Sequence, residues 1–367
     1  MADDSFKIPL YAKTALIFIS VFAIGTILYV GRPVITPIVY ATVIAILLNP
    51  LVNYLEKRKL SKIVAISIAL LLTILAVFGV FYVVSSQIIM FRDTYPQLKA
   101  KFNITGSNLI YWISNRFNIK ESFIHSWLNE TESNTINNLA IGEKLSEVGQ
   151  MMVTGVLLPV YLFMILYYKP LLLEFIKRLF RTEHHTTVAE VLINSKRIIQ
   201  SYLVGLFIEM IIVAVLNSAG LLLLGIDYAI ILGITGAILN VIPYIGGIVA
   251  IALPMIIAFV TKDSYIYTFL VFGVYIFIQF IDNHYIIPKI VASRVQINAL
   301  ISVIVVLVGG AIWGIPGMFL SIPLTAIMKV IFDHIDSLKP IGFLLGNIVP
   351  TASTFSFIKP NKGTLLK

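Results

Sequence analysis

Apolar positions in this chain come in runs of about twenty, each closed by a cluster of glycine, proline or charge, and such runs predict helices that cross a membrane. The first, Tyr11 to Val30, is broken by Gly31, Arg32 and Pro33, and a second from Val34 to Leu55 follows at once. That spacing predicts a tight helical hairpin. A third long run extends from Ile63 to Phe91, after which residues 92–150 turn polar and rich in asparagine. Within them Leu109, Ile110, Trp112, Ile113, Phe117, Phe123 and Trp127 recur at roughly helical spacing, which predicts short amphipathic helices in a small insert. The run Met151 to Tyr168 brings the chain back into the membrane.

From Tyr202 onward, full-length and half-length runs alternate. Tyr202 to Leu224 is long enough to span. Tyr228 to Val241 has about fourteen residues, roughly 21 Å of helix, too short for an upright crossing. It ends in Asn240-Val-Ile-Pro243-Tyr-Ile-Gly246-Gly247, and another short run continues to Val260. Two half-length helices meeting at a Pro/Gly break read as a re-entrant hairpin. The order repeats: Tyr265 to Ile287 is long, while Asn298 to Ile312 and Met318 to Phe332 are short and meet at Trp313-Gly314-Ile315-Pro316-Gly317.

The predicted fold is therefore all-α: a polytopic integral membrane protein of about eight transmembrane segments, with re-entrant helical hairpins in an inverted repeat and a small helical extracytoplasmic insert. The divisions are 1–91, an N-terminal transmembrane hairpin and third span; 92–150, the insert; and 151–200, a fourth span and basic loop. Residues 201–335 form a transport core with both hairpins, and 336–367 a cytoplasmic tail.

Composition removes the soluble alternative, because the 367 residues are 59% hydrophobic and only 12% charged, where soluble domains are about a quarter charged. The net charge of +9 reflects topology, since the basic residues punctuate apolar runs instead of gathering on a nucleic-acid-binding face. Short loops carry the bias: Lys57, Arg58, Lys59 and Lys62 oppose Glu56 alone, and Lys169, Lys177, Arg178, Arg181, Lys196 and Arg197 oppose Glu174, Glu183 and Glu190. Both loops read as cytoplasmic, whereas residues 92–150 show no such bias and read as extracytoplasmic. The N- and C-termini then lie in the cytoplasm of a bacterial inner membrane, with the first span retained, not cleaved as a signal peptide. With this topology the two hairpins open to opposite sides.

No cysteine is present, which excludes disulfides and thiolate chemistry. Adjacent His184 and His185 lack a partner at metal-ligand spacing, so neither a metal nor any other cofactor is expected. The absence of a Gly-x-Ser-x-Gly elbow, a paired-histidine metal motif and a phosphate-cradling loop argues against an enzyme. Two carboxylates, Glu209 and Asp282, remain deep in apolar runs, where a charge costs several kcal/mol and marks an ion, proton or solute pathway. Gln279 shares a helical face with Asp282 and Asn283 at three- and four-residue spacing, beside His284. The candidate pathway comprises Glu209, Asn240, Pro243, Gly246, Gly247, Gln279, Asp282, Asn283, Gly314, Pro316 and Gly317.

The stretch Gln279-Phe-Ile-Asp282-Asn283-His-Tyr-Ile-Ile-Pro288, continuing through Val308-Gly309-Gly310 and Gly314-Ile-Pro-Gly317 to Pro323, resembles the autoinducer-2 exporter family, as does Asn240-Val-Ile-Pro243-Tyr-Ile-Gly246. The order of spans and insert is similar over nearly the whole chain, although Gly247 stands where family members often carry proline. The resemblance implies a secondary transporter of eight transmembrane segments that forms homo-oligomers, pentameric in form. It further implies export of a small polar solute such as autoinducer-2 by alternating access, with sodium/proton antiport as the alternative. The expected partners are a small polar solute or a monovalent cation or proton, the lipid bilayer and further copies of the chain. A different class, a membrane scaffold whose insert binds a partner, predicts that deleting residues 92–150 abolishes activity while hairpin substitutions do not.

Overall fold

Gly31 joins the first two helices by closing one and capping the next: α1 is Leu10–Val30 and α2 is Arg32–Lys57, with Pro33 in its first turn, where a missing N–H costs nothing. The computed structural model describes residues 9–117, 141–243, 245–291 and 296–347. A turn at Lys59, with positive φ, leads into α3, Lys62–Phe117, and α4 is Ile141–Leu179. After one short 3-10 turn, α5 runs His185–Leu223. Gly225 and Tyr228, both at positive φ, reverse the chain into α6, Ala229–Asn240, followed by α7, Ile245–Thr261, and α8, Ile266–Ile281. A π-helical segment, Asp282–Val291, continues α8; then come α9, Ala299–Trp313, α10, Ile315–Asp333, and α11, Lys339–Leu345.

All regular structure among the described residues is helical, and seven helices are long and apolar enough to cross a membrane, where about eight segments were expected. Helices α6, α7 and α9, of 12, 17 and 15 residues, are apolar but shorter than these spans. Helix α10 has 19 residues because it starts at Ile315, so the expected short arm from Met318 to Phe332 is longer than the pattern suggested.

Two further expectations are corrected. Residues 92–117 do not break into short amphipathic helices: α3 continues through them as one 56-residue helix of about 84 Å, with Pro96 and Gly106 standing singly inside it. Residues 118–140, with Phe123 and Trp127, lie outside the described set. The basic stretch 169–197 is also largely helical, its charges riding on the ends of α4 and α5 around a brief turn.

Small residues set the helix spacing, as expected where lipid supplies no hydrophobic drive between helices. Ala41 and Ala45 of α2 pack against Ala65 and Ala69 of α3 and Leu162 and Leu166 of α4. Helices α5 and α6 approach so closely that a Cβ on Gly233 would strike the Ser218 backbone. A second core gathers Leu221, Leu232, Ala250, Ile257, Val271 and Tyr275 from α5 to α8, and Val43, Ile199 and Leu320 join α2, α5 and α10. The long α3 reaches the turn after α7, where the Lys101 ammonium donates to the carbonyls of Lys262 at 2.6 Å and Val260 at 3.3 Å.

Candidate functional site

The α6–α7 break is built from residue types that weaken a continuous helix. Pro243 offers no backbone donor, and α7 opens on Gly246 and Gly247. Gly246 lies so close to the Leu239 carbonyl that a Cβ would overlap it, so only glycine closes this tip. The folded-back geometry sets Asn240, the last residue of α6, against the end of α8.

Asp282 sits there, 1% exposed, as the first residue of the π-helical segment. Widened turns of this kind are frequent at functional sites. Asn240 Nδ2 donates to Asp282 Oδ2 at 3.0 Å and Gln279 Nε2 donates to the same oxygen at 3.4 Å. The predicted helical face is thus real, and Gln279 Nε2 also donates to Asn283 Oδ1 at 3.3 Å. Asp282 Oδ1 has no hydrogen-bond partner among the described residues.

That carboxylate borders a cavity of about 10 Å³, room for roughly one water molecule. Helices α5, α6, α7 and α8 wall it, with Gly236, Gly247 and Ala250 keeping it open. Two of its polar wall residues were not found from the sequence. Asn217, 2% exposed, stands two four-residue steps from Glu209 along α5, and Tyr275, 4% exposed, lies one turn before Gln279. Their helical register with already chosen residues was the signal that could have found them. Asn217 Oδ1 and Tyr275 Oη are, like Asp282 Oδ1, buried without a partner among the described residues.

Glu209 is buried at 6% exposure, its Oε2 likewise lacking a partner among the described residues. It does not line the cavity at Asp282. Asn283 and His284 are exposed on the outer side of the helix, and the His284 ring stacks on Phe280 with its Nδ1 2.9 Å from the Phe280 carbonyl. Among the described residues, Asn283 meets the cluster through Gln279.

The second tip is elsewhere. Gly314 takes φ +65°, a conformation that requires glycine, and turns α9 into α10. The Pro316 carbonyl accepts from Tyr40 Oη at 3.1 Å, and Trp313 Nε1 donates to the Leu28 carbonyl at 2.9 Å. Gly317 meets the backbone of Gly309 on α9. The tip is thus tied to α1 through Trp313 and to α2 through Pro316, Gly317 packs on α9, and Gly314, Pro316 and Gly317 do not line the cavity at Asp282. At this tip the Ser321 hydroxyl donates to the Gly317 carbonyl at 2.6 Å.

Residues 16–337 match the sequence model of the AI-2E family transporter. The chain is 24% identical to the AI-2 transport protein TqsA of Escherichia coli (strain K12), over 86% of this chain and 90% of that protein. It is similar also to a putative transport protein of Haemophilus influenzae, at 25% identity over 86% and 90% of the two chains, and to the putative transport protein YueF of Bacillus subtilis, at 24% over 82% and 83%.

Proposed function

The chain belongs to the AI-2E transporter family, and from that membership and the buried polar cluster we propose a secondary transporter that moves a small polar solute across the membrane by alternating access. The observation that carries the reading is Asp282, a carboxylate almost wholly enclosed where a break between two short helices meets a π-helical turn. A carboxylate held in an apolar bundle is costly, and a transporter uses such a group to bind or couple its cargo. The short α6 and α7 support a re-entrant hairpin, and α9 with the opening of α10 its inverted counterpart. The relative named as an AI-2 transport protein supports AI-2 as the small polar solute.

One observation favours a second reading, cation/proton antiport: the cavity at Asp282 has the size of a single water or ion and excludes any organic solute in this conformation. Glu209, buried on α5, is the second carboxylate available for such an exchange.

The test is flux in inside-out vesicles carrying the wild-type chain or Asp282→Asn. The variant keeps an acceptor for Asn240 Nδ2 but loses the charge, so gradient-driven uptake is expected to fall to background. Unchanged flux removes Asp282 from the mechanism.

A further inference from the structure

We propose that α5, with α2, α10 and the π-helical segment, seats one anionic phospholipid of the surrounding bilayer, its phosphate at Arg197 and an acyl chain along Ser201, Val204 and Ile208. The seat shares no residue with the cavity at Asp282 and stands independently of the transport reading.

The headgroup end is a cavity of about 270 Å³ between the early turns of α5 and the last turns of α10. Arg197 and Asn194 border it, and neither side chain makes a hydrogen bond or ion pair among the described residues. The other charges there are already matched. Lys329 pairs with Asp333, while His334 donates from Nδ1 to the Val330 carbonyl at 2.7 Å and holds Nε2 4.0 Å from Glu190. What remains is one guanidinium beside a neutral amide, and a guanidinium fork meets two phosphate oxygens at once. Lys289 of the π-helical segment adds a second cation at the adjoining groove. A zwitterionic headgroup brings its own cation, so an anionic lipid gains more from this surface.

The acyl end follows from helical register. Asn194, Arg197, Ser201, Val204 and Ile208 stand three, four, three and four residues apart and so share one face of α5. Beyond Arg197 that face floors a groove of about 520 Å³, walled by Leu47 and Pro50 of α2 and by Ile290. Gly205 keeps the floor low, and Val204 and Ile208 are 47% and 42% exposed. Arg197 lies five residues before Tyr202, where the apolar run opens, so the basic end sits at the edge of the hydrocarbon and the groove enters it. From Asn194 to Ile208 the helix rises about 21 Å, half of a bilayer of about 40–45 Å with its headgroups. A free phosphate uses the upper cavity alone and a hydrocarbon chain the groove alone. One stripe that carries both over the depth of a leaflet fits a phospholipid.

The test is native mass spectrometry of the full chain in detergent, titrated with phosphatidylglycerol or phosphatidylcholine of matched acyl chains. One phosphatidylglycerol should be retained in preference. Arg197→Gln should weaken its retention about fivefold, whereas Arg181→Gln, an exposed base that borders neither space, should leave it unchanged. Val204→Trp fills the groove and leaves the headgroup end intact, and should also displace the lipid. A parallel thermal scan should show phosphatidylglycerol raising the midpoint of the wild type and of Arg181→Gln, with a smaller rise in Arg197→Gln. Equal retention of the two lipids, or retention indifferent to Arg197→Gln, overturns the proposal. Displacement by soluble glycerol phosphate together with indifference to Val204→Trp assigns the cavity to a free phosphate and overturns the lipid. A Val204→Trp chain that loses its oligomeric mass but keeps its phosphatidylglycerol gives the groove to a second copy, and overturns it as well.

Discussion

Two adjacent glycines at the first tip offer a test that separates folding from transport. At Gly246 an added Cβ would overlap the Leu239 carbonyl, a backbone atom that cannot move without reopening the α6–α7 break. Forced overpacking of this kind costs about 1–3 kcal/mol. The gain of about 0.8–1 kcal/mol from alanine's better helix propensity offsets only part of it. At Gly247 the new methyl would meet only side-chain oxygens, at 3.4 and 3.6 Å, which is ordinary contact. Here the propensity gain stands unopposed, yet a methyl has about the bulk of a water and fills the cavity of about 10 Å³. Gly246→Ala should therefore lower the unfolding midpoint in nanodiscs, while Gly247→Ala holds or raises it and cuts vesicle flux by about tenfold or more. Comparing unfolding by tryptophan fluorescence with solute uptake checks both halves. A Gly247→Ala chain that transports like wild type would refute the placement of the pathway beside this glycine, and an unperturbed Gly246→Ala chain would refute the tip geometry.

Three other outcomes follow from contacts farther from the cavity. Lys101→Met removes the ammonium that holds the Val260 and Lys262 carbonyls, at a cost of about 1–3 kcal/mol, and should speed amide hydrogen exchange around the α7–α8 turn. Trp313→Phe deletes the donor to the Leu28 carbonyl, about 1 kcal/mol, and should raise exchange in α1 while leaving the α6–α7 pair unchanged. Lys339 donates to Asp336 and holds that exposed carboxyl below its ordinary range, so the pair's contribution is present above the ordinary carboxylate value and is lost as pH falls through the lowered one. In Lys339→Ala the Asp336 titration should move up toward the ordinary value, read by carboxyl carbon chemical shift, and the small loss of stability this exposed pair accounts for should be seen near neutral pH and vanish below the lowered value.

Period and run length made the membrane character and most helix positions legible, because each crossing must bury an unbroken apolar stretch. The same signal failed on α3, since a helix leaving the membrane needs no apolar run to continue: hydrogen bonding along the chain sustains it through Arg92 and Lys101. Asp282 and Gln279 could be found because a carboxylate and an amide are conspicuous in an apolar run. Tyr275 was hidden, since tyrosine is common in membrane helices and its hydroxyl gains meaning only beside Asn217 and Gly236, residues brought near by tertiary packing: a Cβ on Gly236 would stand 3.3 Å from both Asn217 Nδ2 and Tyr275 Oη. The π-helical widening at Asp282 likewise has no signature in residue spacing.

The two Pro/Gly tips show why an apex motif alone does not locate a site. Both use glycine to bring chain segments together, but what the glycines admit differs. At the first, Gly247 and Gly236 make room for side chains, and the neighbours that occupy the space are Asn217, Asn240, Tyr275 and Gln279, so the closeness creates a polar cavity. At the second, Gly309 and Gly317 admit each other's backbone, Met318 fills the space over Gly310, and Trp313 and Tyr40 bind the tip to the amino-terminal hairpin. Close approach there becomes helix packing, as small residues do throughout membrane bundles. Chemistry therefore follows the flanking residues: a glycine break bordered by amides and a carboxylate opens a place for a ligand, and one bordered by indole, thioether and branched chains closes it.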